Sequence, residues 1–137
     1  MNASGVLLDT GPLVAFLSAN DNDHDRAKRL FGTCQAPFRT CEAVLAEACF
    51  LMQKVDANGP AEVVALGHSG LYDVALSIGD HWTQIEALLR KYASRRISLA
   101  DACLIWCAEL HEDPRILTFD SDFGVYRWAR RKAFHIL

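Results

Sequence analysis

Short apolar runs, each stopping at a polar or acidic residue and separated by helix-length stretches, leave this chain few architectures. Val6-Leu7-Leu8 runs into Asp9, Pro37-Phe38-Arg39-Thr40 runs into Cys41, and Arg115 to Thr118 leads through Phe119 to Asp120. Each run is too short for a stable helix and reads as a buried strand. Leu71 to Ile78 alternates weakly and reads as another, and Phe134-His135-Ile136 as the last. Strands joined through helices pair in parallel, and a parallel sheet needs cover on both faces. The expectation is an α/β fold, a three-layer α/β/α sandwich around a central parallel sheet, in one domain over residues 1–137.

The stretches between the strands carry helical stripes and their punctuation. Thr10 is placed to cap a first helix with Pro12 in its first turn and Leu13, Val14, Phe16 and Leu17 as anchors. After the polar turn Asn20 to Asp23, a second helix carries Ala27, Leu30 and Phe31. Thr40 is placed to cap a third, from about Cys41 to Gln53, with Val44, Ala48 and Leu51 as its stripe. Asn58-Gly59-Pro60 breaks the chain and opens a fourth helix that runs to about Gly70. A fifth follows Gly79-Asp80 with Trp82, Ile85, Leu88, Leu89 and Tyr92 on its apolar side, and Ser98 caps a sixth from Leu99 to about His111.

Four carboxylates interrupt this apolar pattern. Asp9 and Asp120 follow strands, Glu47 lies within the third helical stripe, and Asp101 opens the stripe of Leu104, Ile105 and Ala108. None has a Lys or Arg beside it in sequence. In open parallel sheets function gathers beyond the carboxyl ends of the strands, where all four can converge. Gathered carboxylates repel, and protonation or a cation must relieve them; hard oxygen donors of this kind suit Mg²⁺ or Mn²⁺. Each Asp also has a plainer use. Asp101, three residues after Ser98, completes a capping box; Asp120 can cap a short helix near Asp122; Asp9 can end a strand in a turn. Glu47 caps nothing, whereas Glu42, in a first helical turn, simply complements the helix dipole and is left out of the site.

The net charge of −3 argues against a broad positive field for holding nucleic acid, but bound cations would reverse the sign locally. With 51% of residues apolar and 23% charged, the composition is that of a folded globular protein. Five irregularly spaced cysteines make no disulfide framework. The first residues lack the form of a signal peptide and no stretch is long enough to span a membrane, so the expected compartment is the cytoplasm.

The strings VLLDTGPLVAFL, TCEAVLAEACFLM, ISLADACLIWCAEL and ILTFDSDF together resemble the PIN-domain family, and most of all its VapC toxin branch. The resemblance runs from Leu7 to about Phe123 in the family's order and approximate spacing. It implies a parallel-sheet α/β/α fold and cleavage of RNA dependent on Mg²⁺ or Mn²⁺. The family's acids correspond to Asp9, Glu47 and Asp101, with Asp120 as the fourth, Thr118 as a hydroxyl beside it and Asp122 as a fifth or substitute ligand. On this reading Asp9, Asp101 and Asp120 hold metal and Glu47 ligates or orients the attacking water. Thr10, Ser98 and Thr118 fix carboxylate rotamers. The branch further implies an RNA substrate, a cognate antitoxin and a homodimer.

Two other functions compete. One is a PIN-like module with a vestigial metal site that binds protein, which retention of all four acids argues against. The other is a phosphatase of the haloacid-dehalogenase type, whose second acid two residues after Asp9 would fall on Gly11. Cys103, Cys107 and His111 recur on one helix face and read as core filling before soft-metal ligands. The basic clusters Arg90-Lys91 with Arg95-Arg96, and Arg127 with Arg130-Arg131-Lys132, read as solvated faces or as a track for an RNA backbone. Trp82 and Tyr92 read as core or dimer surface before base-stacking platforms.

Overall fold

The computed structural model describes residues 3–137. Five strands form the central sheet: β1 (Leu7–Leu8), β2 (Phe38–Thr40), β3 (Tyr72–Val74), β4 (Arg115–Leu117) and β5 (His135–Ile136). Their spatial order is β3-β2-β1-β4-β5 and every pairing is parallel. Six helices intervene: α1 (Thr10–Leu17), α2 (His24–Gly32), α3 (Glu42–Met52), α4 (Gly59–His68), α5 (Trp82–Lys91) and α6 (Leu99–His111). Among the described residues no helix is long and apolar enough to cross a membrane.

Side chains alternate across a strand, so two adjacent residues feed two different cores. Leu7 and Ile116 enter one core with α5 and α6, while Leu8 and Leu117 enter the other with α1, α2 and α4. Helix α3 serves both, Val44 on one side and Ala48 and Met52 on the other. This is the three-layer α/β/α sandwich expected from the sequence. The strand order reverses between β1 and β4, and that crevice is where open α/β sheets place ligands.

Several local expectations are corrected. Asp9, not Thr10, is the N-cap of α1. Thr40 caps nothing: its hydroxyl donates to the Leu8 carbonyl at 3.0 Å, tying β2 to β1, and Cys41 precedes α3 with no side-chain cap. The stripe that α3 buries is Val44, Ala48 and Met52, while Leu51 faces outward. Strand β3 ends at Val74, far short of Ile78, because the chain folds into a 3-10 turn at Ile78–Asp80. Helix α4 stops at His68, two residues before Gly70 enters the left-handed region at φ 92°. It starts hard against the end of α3: a β-carbon on Gly59 would stand 2.5 Å from the Met52 carbonyl oxygen, so only glycine fits. Trp82 is not core, being 69% exposed at the start of α5, whereas Tyr92 is buried.

The structure adds a hairpin that the sequence did not announce, Arg127–Trp128 against Lys132–Ala133, with Ala129 and Arg130 at positive φ. A second short pair joins Ala3–Ser4 to Cys34–Gln35 in parallel. Cys103 and Cys107 are fully buried core residues, and among the described residues His111 reaches only the Ala75 carbonyl, at 3.3 Å.

Candidate active site

The sheet sets the site. Strands β1 and β4 are neighbours, so Asp9 and Asp120, which follow them, emerge side by side at their carboxyl ends. The last paired residues are Leu8 and Leu117, and the Asp9 amide extends the ladder by donating to the Leu117 carbonyl at 3.1 Å. Asp101 enters from the first turn of α6, and Glu47 from the middle of α3. All four line one cavity of about 490 Å³, together with Asp122.

Hydroxyls and amides hold two of these carboxylates firmly. Asp9 accepts from the Thr10 amide at 2.8 Å through Oδ1 and from the Thr118 hydroxyl at 2.7 Å through Oδ2. Thr118 in turn accepts from the Asp120 amide at 3.0 Å, so one hydroxyl links both strand ends. The Thr10 hydroxyl donates to Glu47 Oε1 at 2.7 Å, which joins α1 to α3 across the cavity. Helix α6 begins with the Ser98 cap, whose oxygen accepts from the Asp101 amide at 3.0 Å. The Asp101 carboxylate does not close a capping box; it accepts instead from Tyr126 Oη at 3.3 Å.

The plainer readings divide accordingly. Asp120 does cap the short 3-10 turn Ser121–Gly124, accepting from the Asp122 amide at 2.9 Å, while it also lines the cavity. Asp122 caps nothing and pairs with Arg95 at 3.0 Å. Glu47 and Asp120 are exposed, so the sequence pattern overstated the burial of Glu47. Asp9 and Asp101 are buried, 6% and 8% exposed.

Burial has an electrostatic consequence. Desolvation raises the Asp9 carboxyl above its ordinary range; the Thr118 and Thr10 hydrogen bonds oppose this, and the charges of Asp120 and Glu47 add to it. Asp101 is pushed up to about 7, first by burial, then by the charges of Asp9 and Asp120, against the Tyr126 hydrogen bond. Tyr126 is itself pushed up by burial and by the neighbouring acids, so it stays a hydroxyl donor at any physiological pH.

This donor set fits a hard divalent cation: carboxylates, two of them desolvated, and among the described residues none of Asp9, Glu47, Asp101 or Asp120 is spent on a Lys or Arg. Among the described residues no three His, Cys, Asp or Glu side chains already enclose a point as ligands. A bound cation would offset both the burial and the repulsion that raise Asp9 and Asp101.

Sequence reasoning did not find Tyr126, because it is 25 residues from Asp101 and belongs to none of the acidic strings. Arg96 also lines the cavity, and it was legible only as half of a basic pair. Arg127, by contrast, spends its guanidinium on the carbonyls of Gly124, Val125 and Tyr126 and so stiffens the segment that carries Tyr126.

A family model described as the PIN domain matches residues 6–129, most of the chain and every residue of the cavity. In structure the chain is similar to the toxin VapC20 of Mycobacterium tuberculosis, described as cleaving the sarcin–ricin loop. The TM-score is 0.79 at 22% identity, over 93% of this chain and 98% of that one. No curated protein matches the sequence closely enough to count as a relative.

Proposed function

Because the chain belongs to the PIN-domain family, we propose that it is a divalent-metal-dependent endoribonuclease of the VapC kind, the toxin of a toxin–antitoxin pair. The observation that carries this is the cavity at the β1–β4 crevice, where Asp9 and Asp101 are buried, their carboxyl pKa values are raised, and neither forms an ion pair among the described residues. A site built for stability alone would pair or neutralise such groups.

Asp9, Asp101 and Asp120 are the residues that would hold Mg²⁺ or Mn²⁺. When bound, such an ion supplies Lewis-acid polarisation of the scissile phosphate and offsets charge developing on the departing oxygen. Thr118 and the Thr10 amide lock both oxygens of Asp9, so its rotamer is set before anything binds. Tyr126 does the same for one oxygen of Asp101. Glu47, held by the Thr10 hydroxyl through one oxygen, has the other free to accept a proton from a water and aim it at phosphorus. Asp122 stands back from this work because Arg95 already neutralises it.

The substrate is RNA. The structural neighbour's description as a sarcin–ricin loop cleaving toxin makes ribosomal RNA one class to include among the substrates tried. The remaining parts of the reading are a cytoplasmic location, an antitoxin that lays an apolar segment near the acids, and a symmetric homodimer of twice 15.2 kDa. Trp82, 69% exposed on α5, is a candidate for the dimer surface.

The test is cleavage of a mixed RNA set, with transfer, ribosomal and messenger RNA represented, with and without Mn²⁺, by wild type and Asp9→Asn. Release of phosphate from a phosphomonoester is measured alongside. Mn²⁺-dependent internal cuts that disappear in the variant support the nuclease. Phosphomonoester release without RNA cleavage would overturn it. Induction in a bacterial host should arrest growth with the wild type and not with Asp9→Asn; arrest by both would remove the toxin and point to aggregation or binding.

A further inference from the structure

The cavity is lined by five carboxylates and, among its described lining residues, by one cation, Arg96. Its sequence neighbour Arg95 is committed to Asp122 at 3.0 Å, whereas Arg96 has no ion pair among the described residues. Its side chain is exposed at the cavity mouth.

The backbone there is costly. Arg96 sits at φ 55° and ψ 44°, the left-handed region that glycine occupies without penalty and a β-carbon does not. Its amide closes the 3-10 turn by donating to the Ala93 carbonyl at 2.9 Å, and two residues later Ser98 caps the helix that carries Asp101. Glu112 takes the same conformation at the end of α6, so the turn by itself assigns no role. What sets Arg96 apart is the position of its side chain: a free guanidinium at the entrance to a strongly acidic hole.

We infer that Arg96 is a positioning residue that holds a backbone phosphate of the incoming RNA at the mouth of the cavity. An anionic strand approaching five carboxylates is repelled until cations offset them. Ions held by the acids would do this at the scissile phosphate, and Arg96 does it for the strand beside them. A guanidinium presents a planar fork of N–H donors that matches two phosphate oxygens at once, which a lysine ammonium does not. The exposed side chain is free to swing onto the strand, and no bond is made or broken by it.

The inference rests on the nuclease reading, and the experiment separates the two. Arg96→Gly removes the fork and also the left-handed penalty, so loss of function cannot be ascribed to misfolding: its Tm should equal or exceed that of the wild type. Arg96→Lys keeps the charge and the strain. Arg29→Ala, an exposed arginine on α2 away from the cavity, controls for the loss of one positive charge.

The probe is a fluorescein-labelled single-stranded RNA of mixed sequence, bound to the Mn²⁺-loaded protein and followed by anisotropy at several salt concentrations. Cleavage of the same probe is measured in parallel. Arg96→Gly should weaken binding about tenfold, as expected for a charged contact to phosphate of ~1.4 kcal/mol or more. It should lower the slope of log K against log salt by about 0.7, the signature of one lost phosphate contact on a single strand. KM should rise more than kcat falls, Arg96→Lys should recover part of the loss, and Arg29→Ala should bind as the wild type. Equal affinity and equal salt slope in Arg96→Gly and wild type would overturn the role of Arg96, whether or not the wild type cleaves. A wild type that binds the probe through Arg96 and cuts no RNA would overturn the nuclease and leave the phosphate contact standing.

Discussion

The two ends of the same sheet treat aspartate in opposite ways. At the amino end of β4, Asp113 accepts from Arg115 at 2.6 and 2.9 Å and faces Arg39 at 3.4 Å. The Arg115 hydrogen bonds hold its carboxyl below the ordinary range despite burial. At the carboxyl end, Asp9 and Asp101 meet hydroxyls, amides and one another, and both are raised. One end has settled its charges internally; at the other, on the reading proposed above, a bound cation would settle them. Local rules of stability tend to be broken where a protein does its work, and the buried, raised acids at this edge are such a break. The contrast is open to experiment from either end.

The largest effect belongs to activity. Asp9→Asn and Asp101→Asn should each lower RNA cleavage by on the order of a thousandfold, since several kcal/mol of metal-supplied stabilisation is lost and each ~1.4 kcal/mol is tenfold. Asp120→Asn should fall with them, whereas Asp122→Asn should cost far less because Asp122 is already engaged by Arg95. Asp113→Asn should leave kcat unchanged. A reversed order for Asp120 and Asp122 would mean that the working acid lies two residues further along the chain.

Next in size is the response to metal. Mn²⁺ binding to the folded state alone should stabilise by about 2.7 kcal/mol at a hundredfold excess over Kd, read as a rise of several degrees in Tm. Asp9→Asn should remove most of that increment, and without metal it should melt no lower than the wild type, because repulsion is relieved. Asp113→Asn should respond to Mn²⁺ as the wild type does. An unchanged titration in Asp9→Asn would count decisively against the site.

The satisfied end should show the opposite behaviour. Asp113→Asn leaves Arg115 and Arg39 without their shared carboxylate and should destabilise by roughly 1–3 kcal/mol in urea denaturation, with or without Mn²⁺. A neutral result would mean that the ion pairs there are only surface contacts and that the two ends differ less than their geometry implies.

What the sequence revealed of this contrast follows from distance along the chain. The sandwich, β1, β4 and the four acids were legible because each is a local signal: a short apolar run, a helical stripe, a carboxylate at its end. Among the hydroxyls, Ser98 was legible as the cap of α6, which it is, but Thr10 and Thr40 were misjudged as caps, because a hydroxyl has several partners in reach. Thr10 turns to Glu47 and Thr40 to the Leu8 carbonyl, while Asp9 takes the capping position. The weak alternation after Tyr72 overstated β3 because it continues into a loop whose Leu76 is buried by tertiary packing. Tyr126 and Arg96 carry no local pattern that ties them to the acids, and only the folded cavity brings them there.

The last contrast is a pH dependence of opposite sign at the two ends, read in protein stripped of divalent ions. The folded value of Asp101 is about 7 against an ordinary 3.8, so between those two values the native state holds a proton that the unfolded chain has released. Its contribution to stability is therefore complete below about pH 4, declines as pH rises, and is gone above about 7. Asp9, raised by burial, acts in the same direction. Asp113 is held low, so its contribution is complete above the ordinary carboxylate value and is lost as pH falls through its folded value. Melting temperature measured from pH 8 down to 5 should thus rise in metal-free wild type, and the rise should shrink in Asp101→Asn. Asp113→Asn should keep the rise and lose part of the fall that follows below pH 4. Saturating Mn²⁺ at pH 8 should flatten the upper limb, since a bound cation replaces the proton as the group that relieves the acids. A metal-free profile that is flat from pH 8 to 5 in the wild type would mean that Asp101 ionises without cost, and the two ends of the sheet would then be electrostatically alike.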